Sequence, residues 1–361
     1  MAGLILVVNP GSSSLKLRLL GAKDEVTASC DIEHWNGSAD VDELPGLLAE
    51  AEAVGVRVVH GGRDFVDACE VGDGVLERIE ALTPLAPLHQ PRSVAALRAV
   101  RALGATVPVV ACFDTAFHAS LPPEAATYAV PREWAAQWGI RRYGFHGLSH
   151  QYAARRVEEW VGQGALVVVC HLGAGASLCA VREGRSIDTT MGFTPLEGLV
   201  MATRAGTLDP GLVLWLITEA GIAPERVADT LERHSGLSGL SGTTGDLREV
   251  LEGVGAGDEA ASLAFDVYLH RLRREIGAMV ASLGGLDVLV YTGGVGERAS
   301  VVRAEVAEGL AYLGVAIDEA RNASTTWDGE ITARGAAVRT LVLTSREDVE
   351  IATQVRRLLG G

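Results

Sequence analysis

Hydrophobic positions along this chain come in short runs that alternate with small polar turns. Residues 4–20 form an apolar run, a polar turn at 9–14 and a second apolar run, which predicts a β-hairpin. The same plan recurs at residues 166–181, with 173–177 as the turn. Further β-like stretches follow each copy, at 24–30 and at 185–190. This recurrence suggests an internal duplication into two related α/β domains. Residues 56–59 and 107–113 read as short buried strands, and 94–103 and 150–161 as helices. The clearest helix is 261–283, where Phe265, Leu269, Leu272, Ile276, Met279 and Leu283 recur at three- and four-residue steps. After it, 286–291 reads as a buried strand and Gly293, Gly294 and Gly296 as a turn. Val302, Val306 and Leu310 then mark one face of another helix.

Composition narrows the function classes. A length of 361 residues suits two domains, and 48% apolar with 21% charged residues is a globular balance. The formal charge of −15 argues against nucleic acid and acidic membranes as partners, because both need a basic surface. Any phosphate site must be locally positive. Five cysteines without C-x-x-C spacing read as free thiols in a reducing compartment, not as a disulfide or zinc framework. The opening residues lack a basic signal-peptide region. The longest apolar stretch, 165–181, holds His171 and the turn glycines, so it reads as two strands and not as a membrane span of ~20 residues. The expected location is the cytoplasm.

Glycine-rich turns raise a nucleotide reading, and two common versions of it fail. A Walker A loop needs Gly-Lys before Ser or Thr, and the chain has no Gly-Lys pair. No G-x-G-x-x-G follows the first strand, so the Rossmann fingerprint is missing too. Three turns remain. In Asn9-Pro10-Gly11-Ser12-Ser13-Ser14-Leu15-Lys16, a glycine and three serines supply donors beside a lysine, and Asn9 offers an oxygen to a metal or its waters. An ordinary polar hairpin turn has the same composition. His171-Leu172-Gly173-Ala174-Gly175 is a second such turn. Tyr291-Thr292-Gly293-Gly294-Val295-Gly296-Glu297 joins a strand to a helix, as a phosphate site or as a plain connector.

Arg57 and Val59 alternate on one strand and share a face. A buried guanidinium needs a partner. A structural salt bridge meets that need, and so does a small anion with its carboxylate on Arg57 and its methyl on Val59. Asp114 ends a strand, as a helix cap or a functional group, and His118 follows one turn later. His146 and His150 flank a glycine beside Phe145; their spacing also suits zinc, but no third ligand is near. Arg204 lies in a turn-rich stretch, where a solvated loop arginine is the plain alternative.

Together these segments resemble the acetate kinase family, of the acetate and sugar kinase, chaperone and actin superfamily. The matching stretches run in order along the chain: NPGSSSLK, RVVHGG, PLAPLHQP, FDTAFH, RRYGFHGLSH, CHLGAGASL, DTTMGFTPLEGL, TRAGTLDPG, GLSGLSG, YTGGVGE and TSREDVEIA. The resemblance implies an α/β protein of two duplicated ribonuclease-H-like domains, the actin-like ATPase fold, flanking a central cleft. Residues 1–118 with about 350–361 would form the first domain; 119–349 would form the second, which binds nucleotide and makes a homodimer. The implied reaction is reversible phosphoryl transfer between ATP and acetate, giving acetyl phosphate and ADP, with Mg²⁺ replaceable by Mn²⁺. A propionate or butyrate kinase is the alternative.

The same resemblance implies residue roles. Asn9 and Glu347 would hold Mg²⁺, and Ser12, Ser14 and Lys16 would contact phosphate. Arg57 would bind the substrate carboxylate, with Val59, Leu88, Phe145 and Pro195 around its methyl. Asp114, His146 and Arg204 would act at the transferring phosphoryl group, with His89 close by. His171, Leu172, Gly173, Ala174 and Gly175, then Asp246, Leu247 and Arg248, then Gly294, Val295, Gly296, Glu297 and Arg298 would carry ATP. Three departures stand out. Ala174 replaces the Asn of a segment written HLGNG, Arg298 stands where GEN is usual, and the chain is short between Leu20 and Arg57.

Carboxylic acids titrate at about 4–5, so acetate needs no general base. Asp114 is therefore assigned to positioning and to the metal's water shell. Mg²⁺, Arg57, Arg204 and His146 would neutralise and align three charged partners for in-line transfer. A nucleotide-driven chaperone or filament module would keep the phosphate turns but has no use for Arg57 beside Val59, FDTAFH or GFHG. Pyrophosphate as donor is motivated by Ala174 and opposed by Gly294 and Gly296.

Overall fold

Strands with apolar residues on both faces demand helices on each side of their sheet. The computed structural model, which describes residues 3–11, 14–35, 37, 41–104, 106–325 and 328–360, meets that demand twice. One compact unit takes Met1–Ala119, Tyr143–Tyr152 and Arg346–Gly361; the other takes Ser120–Arg142 and Ala153–Ser345. The segment 143–152, which carries GFHG, therefore goes with the first unit.

Six strands build the first unit's sheet: β1 (Ile5–Pro10), β2 (Ser14–Leu20), β3 (Val26–Glu33), β4 (Ala53–Val58), β5 (Cys69–Glu70) and β6 (Val109–Phe113). Their order is β3-β2-β1-β4-β6-β5. The first three strands meander antiparallel, while β4 and β6 run parallel to β1. The second sheet holds β7 (Leu166–Leu172), β8 (Ala176–Arg182), β9 (Arg185–Thr189), β10 (Val288–Thr292), β11 (Gly329–Glu330) and β12 (Arg339–Val342). Read from its meander edge, it runs β9-β8-β7-β10-β12-β11. Strand directions also match, with β7, β10 and β12 parallel and β11 an antiparallel edge. The duplication expected from two hairpins is a repeat of the whole six-stranded plan.

Alternation along β1 sends Leu6 and Val8 into one core, with Val94, Leu97 and Val100 of the helix Gln90–Ala102. Ile5 and Val7 face the other core, with Val349, Ile351, Ala352 and Val355 of the helix Glu347–Leu358. Gly55 on β4 makes the second contact possible. A Cβ there would overlap Ile351 Cγ2 and lie 2.8 Å from Val355 Cγ2. Glycine thus lets the helix Glu347–Leu358 lie against β4, with Glu347 at its start.

In the second unit the helix Glu259–Leu283 packs against β7, β8 and β9. Asp258 caps it, accepting from Ala261 N at 2.8 Å. Where the sequence suggests a glycine turn after β10, the strand passes straight into a short helix, Gly293–Arg298. Gly293 makes this possible with φ +77°, because a Cβ there would crowd Leu172 O. All five cysteines are free, with Cys30 and Cys69 half-buried. No helix among the described residues is long and apolar enough to cross a membrane.

Candidate active site

Parallel strands in an open sheet present their functional groups at their carboxyl ends. In the first unit β1, β4 and β6 are adjacent, and near those ends stand Asn9, Arg57 and Asp114. Arg57 donates from Nη2 to Asp114 Oδ2 at 2.6 Å and from Nε to both carboxylate oxygens at 3.1 and 3.2 Å. Its Nη1 donates to Asn9 Oδ1 at 3.3 Å and to Pro10 O at 3.5 Å. Glu347 lies 3.8 Å from the same nitrogen and accepts from Asn9 Nδ2 at 2.9 Å. Burial works against the Arg57 charge, but Asp114 and Glu347 more than offset it, so the guanidinium stays protonated. Burial also pushes the Asp114 carboxyl above the ordinary carboxylate range, against the pull of Arg57 and with some help from Glu347. The salt-bridge reading of Arg57 is therefore real for one edge of its fork. The other edge faces Asn9, Pro10 and Glu347.

The GFHG segment is held against this cluster by a glycine. Gly147 N donates to Asp114 O at 3.0 Å, and a Cβ on Gly147 would overlap that oxygen. The preceding residue, His146, has φ +56°, a conformation a non-glycine residue keeps only when its surroundings impose it. Phe145 is buried and accepts from His118 Nε2 through its carbonyl at 3.0 Å. Behind it sits His60, fully buried, with ring centroids 4.5 Å from Tyr143 and 5.5 Å from Phe145. Gln90 clamps His60 at both ends, accepting from its N–H and donating to its carbonyl, each at 3.0 Å. That clamp ties Gln90, which follows Leu88 and His89 in the chain, to His60, which follows Val59 after β4.

In the second unit the equivalent sheet edge carries glycines instead of charges. A cavity of about 770 Å³ opens there, lined by Gly173 and Ala174 after β7, Gly294, Val295 and Arg298 after β10, and Asp246, Leu247 and Arg248. Asp246 caps its own helix through Arg248 N at 2.9 Å and binds the Arg248 guanidinium, which pulls its carboxyl down to about 2. Arg204 follows Ala202 and Thr203, which also line this cavity, and donates to Pro195 O at 3.2 Å. Burial lowers its guanidinium pKa, with Glu232 acting the other way.

The acetokinase family profile matches residues 38–353 of the chain. The chain belongs to the acetokinase family. Acetate kinase of Microcystis aeruginosa (strain NIES-843 / IAM M-2473) is 43% identical to it, over 98% of this chain and 90% of that protein. The crystal structure of Porphyromonas gingivalis acetate kinase superposes with a TM-score of 0.89 at 31% identity, over 99% of this chain and 100% of that one. A propionate kinase from Francisella tularensis subsp. tularensis SCHU S4 gives a TM-score of 0.90 at 34% identity, over 98% of each chain.

Of the residues the acetokinase resemblance points to, Asn9, Arg57, Asp114 and Glu347 are joined by direct bonds in the first unit. Val59, Leu88, His89, Phe145 and His146 share that unit, linked through His60, Gln90 and Gly147. Pro195 and Arg204 meet in the second. His171, Leu172, Gly296 and Glu297 do not line the cavity but sit in β7 and the helix Gly293–Arg298 beside it, and Gly175 sits in the turn between β7 and β8. Ser14 opens β2, and Lys16 stands opposite Asn9 in the ladder. Ser12 lies outside the described residues. Sequence reading missed Arg92, which donates to Gly11 O at 3.4 Å and brings a second cation to the serine turn. It also missed Tyr268 in the cavity wall, because an aromatic on an apolar helical stripe reads as core.

Proposed function

We propose that this chain catalyses reversible phosphoryl transfer between ATP and acetate, forming acetyl phosphate and ADP. The observation that carries this reading is the Asn9–Arg57–Asp114–Glu347 cluster at the carboxyl edge of the first sheet. It combines one guanidinium, kept charged by two carboxylates, with neutral and anionic oxygen donors. Such a group receives a small carboxylate next to a cation-assisted phosphate.

A kinase of this family calls for a divalent cation, and Mg²⁺ is the ion we assign. Asn9 and Glu347 would hold it: both offer hard oxygens within one hydrogen-bonded pair, and Mg²⁺ completes its shell with waters and substrate phosphates. When bound, it supplies charge neutralisation to the phosphates; Mn²⁺ would do the same. Arg57 receives the substrate carboxylate, with Val59, Leu88 and Phe145 of the same unit around the methyl. His146 and Arg204 stabilise the transferring phosphoryl group, with His89 nearby. Asp114 orients Arg57, since a carboxylate nucleophile needs no base. Ser14 and Lys16 fit a phosphate contact, and the cavity after β7 and β10 suits the nucleotide.

A coupled hydroxamate assay with ATP and Mg²⁺ tests the reading on acetate, propionate and butyrate. Acetate should give the highest turnover efficiency. Propionate in first place would reassign the substrate, because one methylene is worth only about 1–3 kcal/mol in an apolar pocket. ATP hydrolysis indifferent to every carboxylate would overturn the kinase reading. Free cysteines and an ATP substrate fit the cytoplasm. The helix Pro210–Thr218 has no buried residue and exposes Leu212, Leu214 and Trp215, a face suited to a second copy in a homodimer. Light scattering on Leu214→Asp should then report a monomer; an unchanged mass would exclude this face.

A further inference from the structure

Arg303 is among the largest fully buried side chains and makes no ion pair among the described residues. Its Nε donates to Asn322 Oδ1 at 2.7 Å and its Nη2 to Asn322 O at 2.8 Å. Its Nη1 is shared between Gly296 O at 2.8 Å and Glu297 O at 2.9 Å. Every acceptor is a neutral oxygen. Asn322 continues the network, donating from Nδ2 to Ser300 O at 2.9 Å.

Keeping a cation buried among neutral groups is unfavourable compared with an apolar side chain of the same volume. Packing alone therefore gives no reason for arginine here. What arginine adds is a planar fork that binds several carbonyls in fixed directions. The carbonyls it binds are informative. Gly296 and Glu297 close the helix Gly293–Arg298, and Ser300 opens the next one, Ser300–Gly309. Between and around them, Val295, Arg298, Ala299, Ser300 and Val301 face the cavity. One buried side chain and its Asn322 partner thus fasten a whole cavity wall from behind, without lining the cavity.

We infer that Arg303, through Asn322, is a positioning residue for the nucleotide: it sets the wall 295–301 in its binding conformation before the donor arrives. The inference rests on assigning that cavity to the nucleotide. A preset wall lowers the ordering cost of binding, so its loss should appear in nucleotide affinity and not in the chemical step.

The test uses Asn322→Ala, Arg303→Met and Arg303→Lys in the intact enzyme, with ADP binding measured by calorimetry and KM measured for both substrates. Losing one such fastening should weaken ADP binding and raise the ATP KM about tenfold, leaving acetate KM and kcat within about twofold. Lysine, which keeps charge but not the fork, should restore less than half of the gap between Arg303→Met and wild type. Amide exchange at 295–301 should quicken in the nucleotide-free variants. If the variants melt earlier yet bind ADP as wild type does, Arg303 is a structural cation only and the inference is wrong. If wild type itself binds no ADP, the cavity assignment has failed instead.

Discussion

Asn9 donates through Nδ2 to Glu347 Oε2 at 2.9 Å, tying the end of the first strand to the first turn of the helix Glu347–Leu358. Each residue offers an oxygen, and no group of three or more acids, histidines or cysteines that could hold a metal stands among the described residues. A cation held here, as proposed, would rely on both. Glu347→Ala should raise the half-saturating Mg²⁺ concentration ~10–100-fold, the usual range for losing a metal-orienting group. Titrating Mg²⁺ at fixed ATP measures this, and an unchanged midpoint would remove Glu347 from the metal site.

Arg57 and Asp114 differ in what they do for turnover and for stability. Arg57→Ala should lower turnover by ~10³, in line with other phosphoryl-transfer arginines. Arg57→Lys should recover little, because an ammonium cannot span Asp114 and Asn9 together. Removing the guanidinium also strands a buried carboxylate, at about 3–5 kcal/mol. Adding Asp114→Asn to Arg57→Met should regain part of that stability in urea denaturation. A double variant no steadier than Arg57→Met would contradict the pairing.

Gly55→Ala places a methyl against Ile351 Cγ2. Overpacking of this kind costs about 1–3 kcal/mol, and Ile351→Ala should relieve it in the double variant. Denaturation midpoints of the single and double variants decide the matter. Equal stability of Gly55→Ala and wild type would mean that the helix Glu347–Leu358 does not depend on this close approach.

His60 predicts a pH dependence. Gly62 N donates to its Nδ1 at 2.9 Å, so the ring proton sits on Nε2, which has no partner among the described residues. Burial lowers the pKa to about 4. The unfolded chain then binds more protons than the folded one between about 6.5 and 4, so stability falls as pH falls through that window. The full effect is about 3 kcal/mol. His60→Leu should flatten this part of the profile relative to wild type, as read from denaturant midpoints at pH 7 and 4.5. Parallel profiles would mean that His60 already titrates normally.

Much of the fold was legible because both hairpins repeat one pattern of apolar runs around a polar turn. The two-residue edge strands β5 and β11 were not, since so few residues show no period. Arg57 and Asp114 could each be picked out, but their pairing could not. It depends on β4 lying beside β6 in parallel, with Arg57 opposite Cys112, and alternation within one strand carries no register between two. His60, Gln90 and Arg303 were silent for a related reason. Gln90 and Arg303 act through bonds to backbone carbonyls, and His60 through burial beside Tyr143 and Phe145, and nothing in the residue type marks such a role. The helical start at Gly293 was missed because glycines ordinarily signal a turn.

The first unit is assembled from three separate stretches, and residues 346–361 supply both Glu347 and the apolar face that covers Ile5 and Val7. On the ribosome, those residues emerge only after the whole of the second sheet has been made. Until then the nascent first unit lacks half of its Asn9–Glu347 pair and leaves one sheet face bare. Synthesis order thus delays the Asn9–Glu347 pair, and with it the proposed carboxylate site, until the second sheet has been made, so a chain cut short before residue 346 lacks that pair.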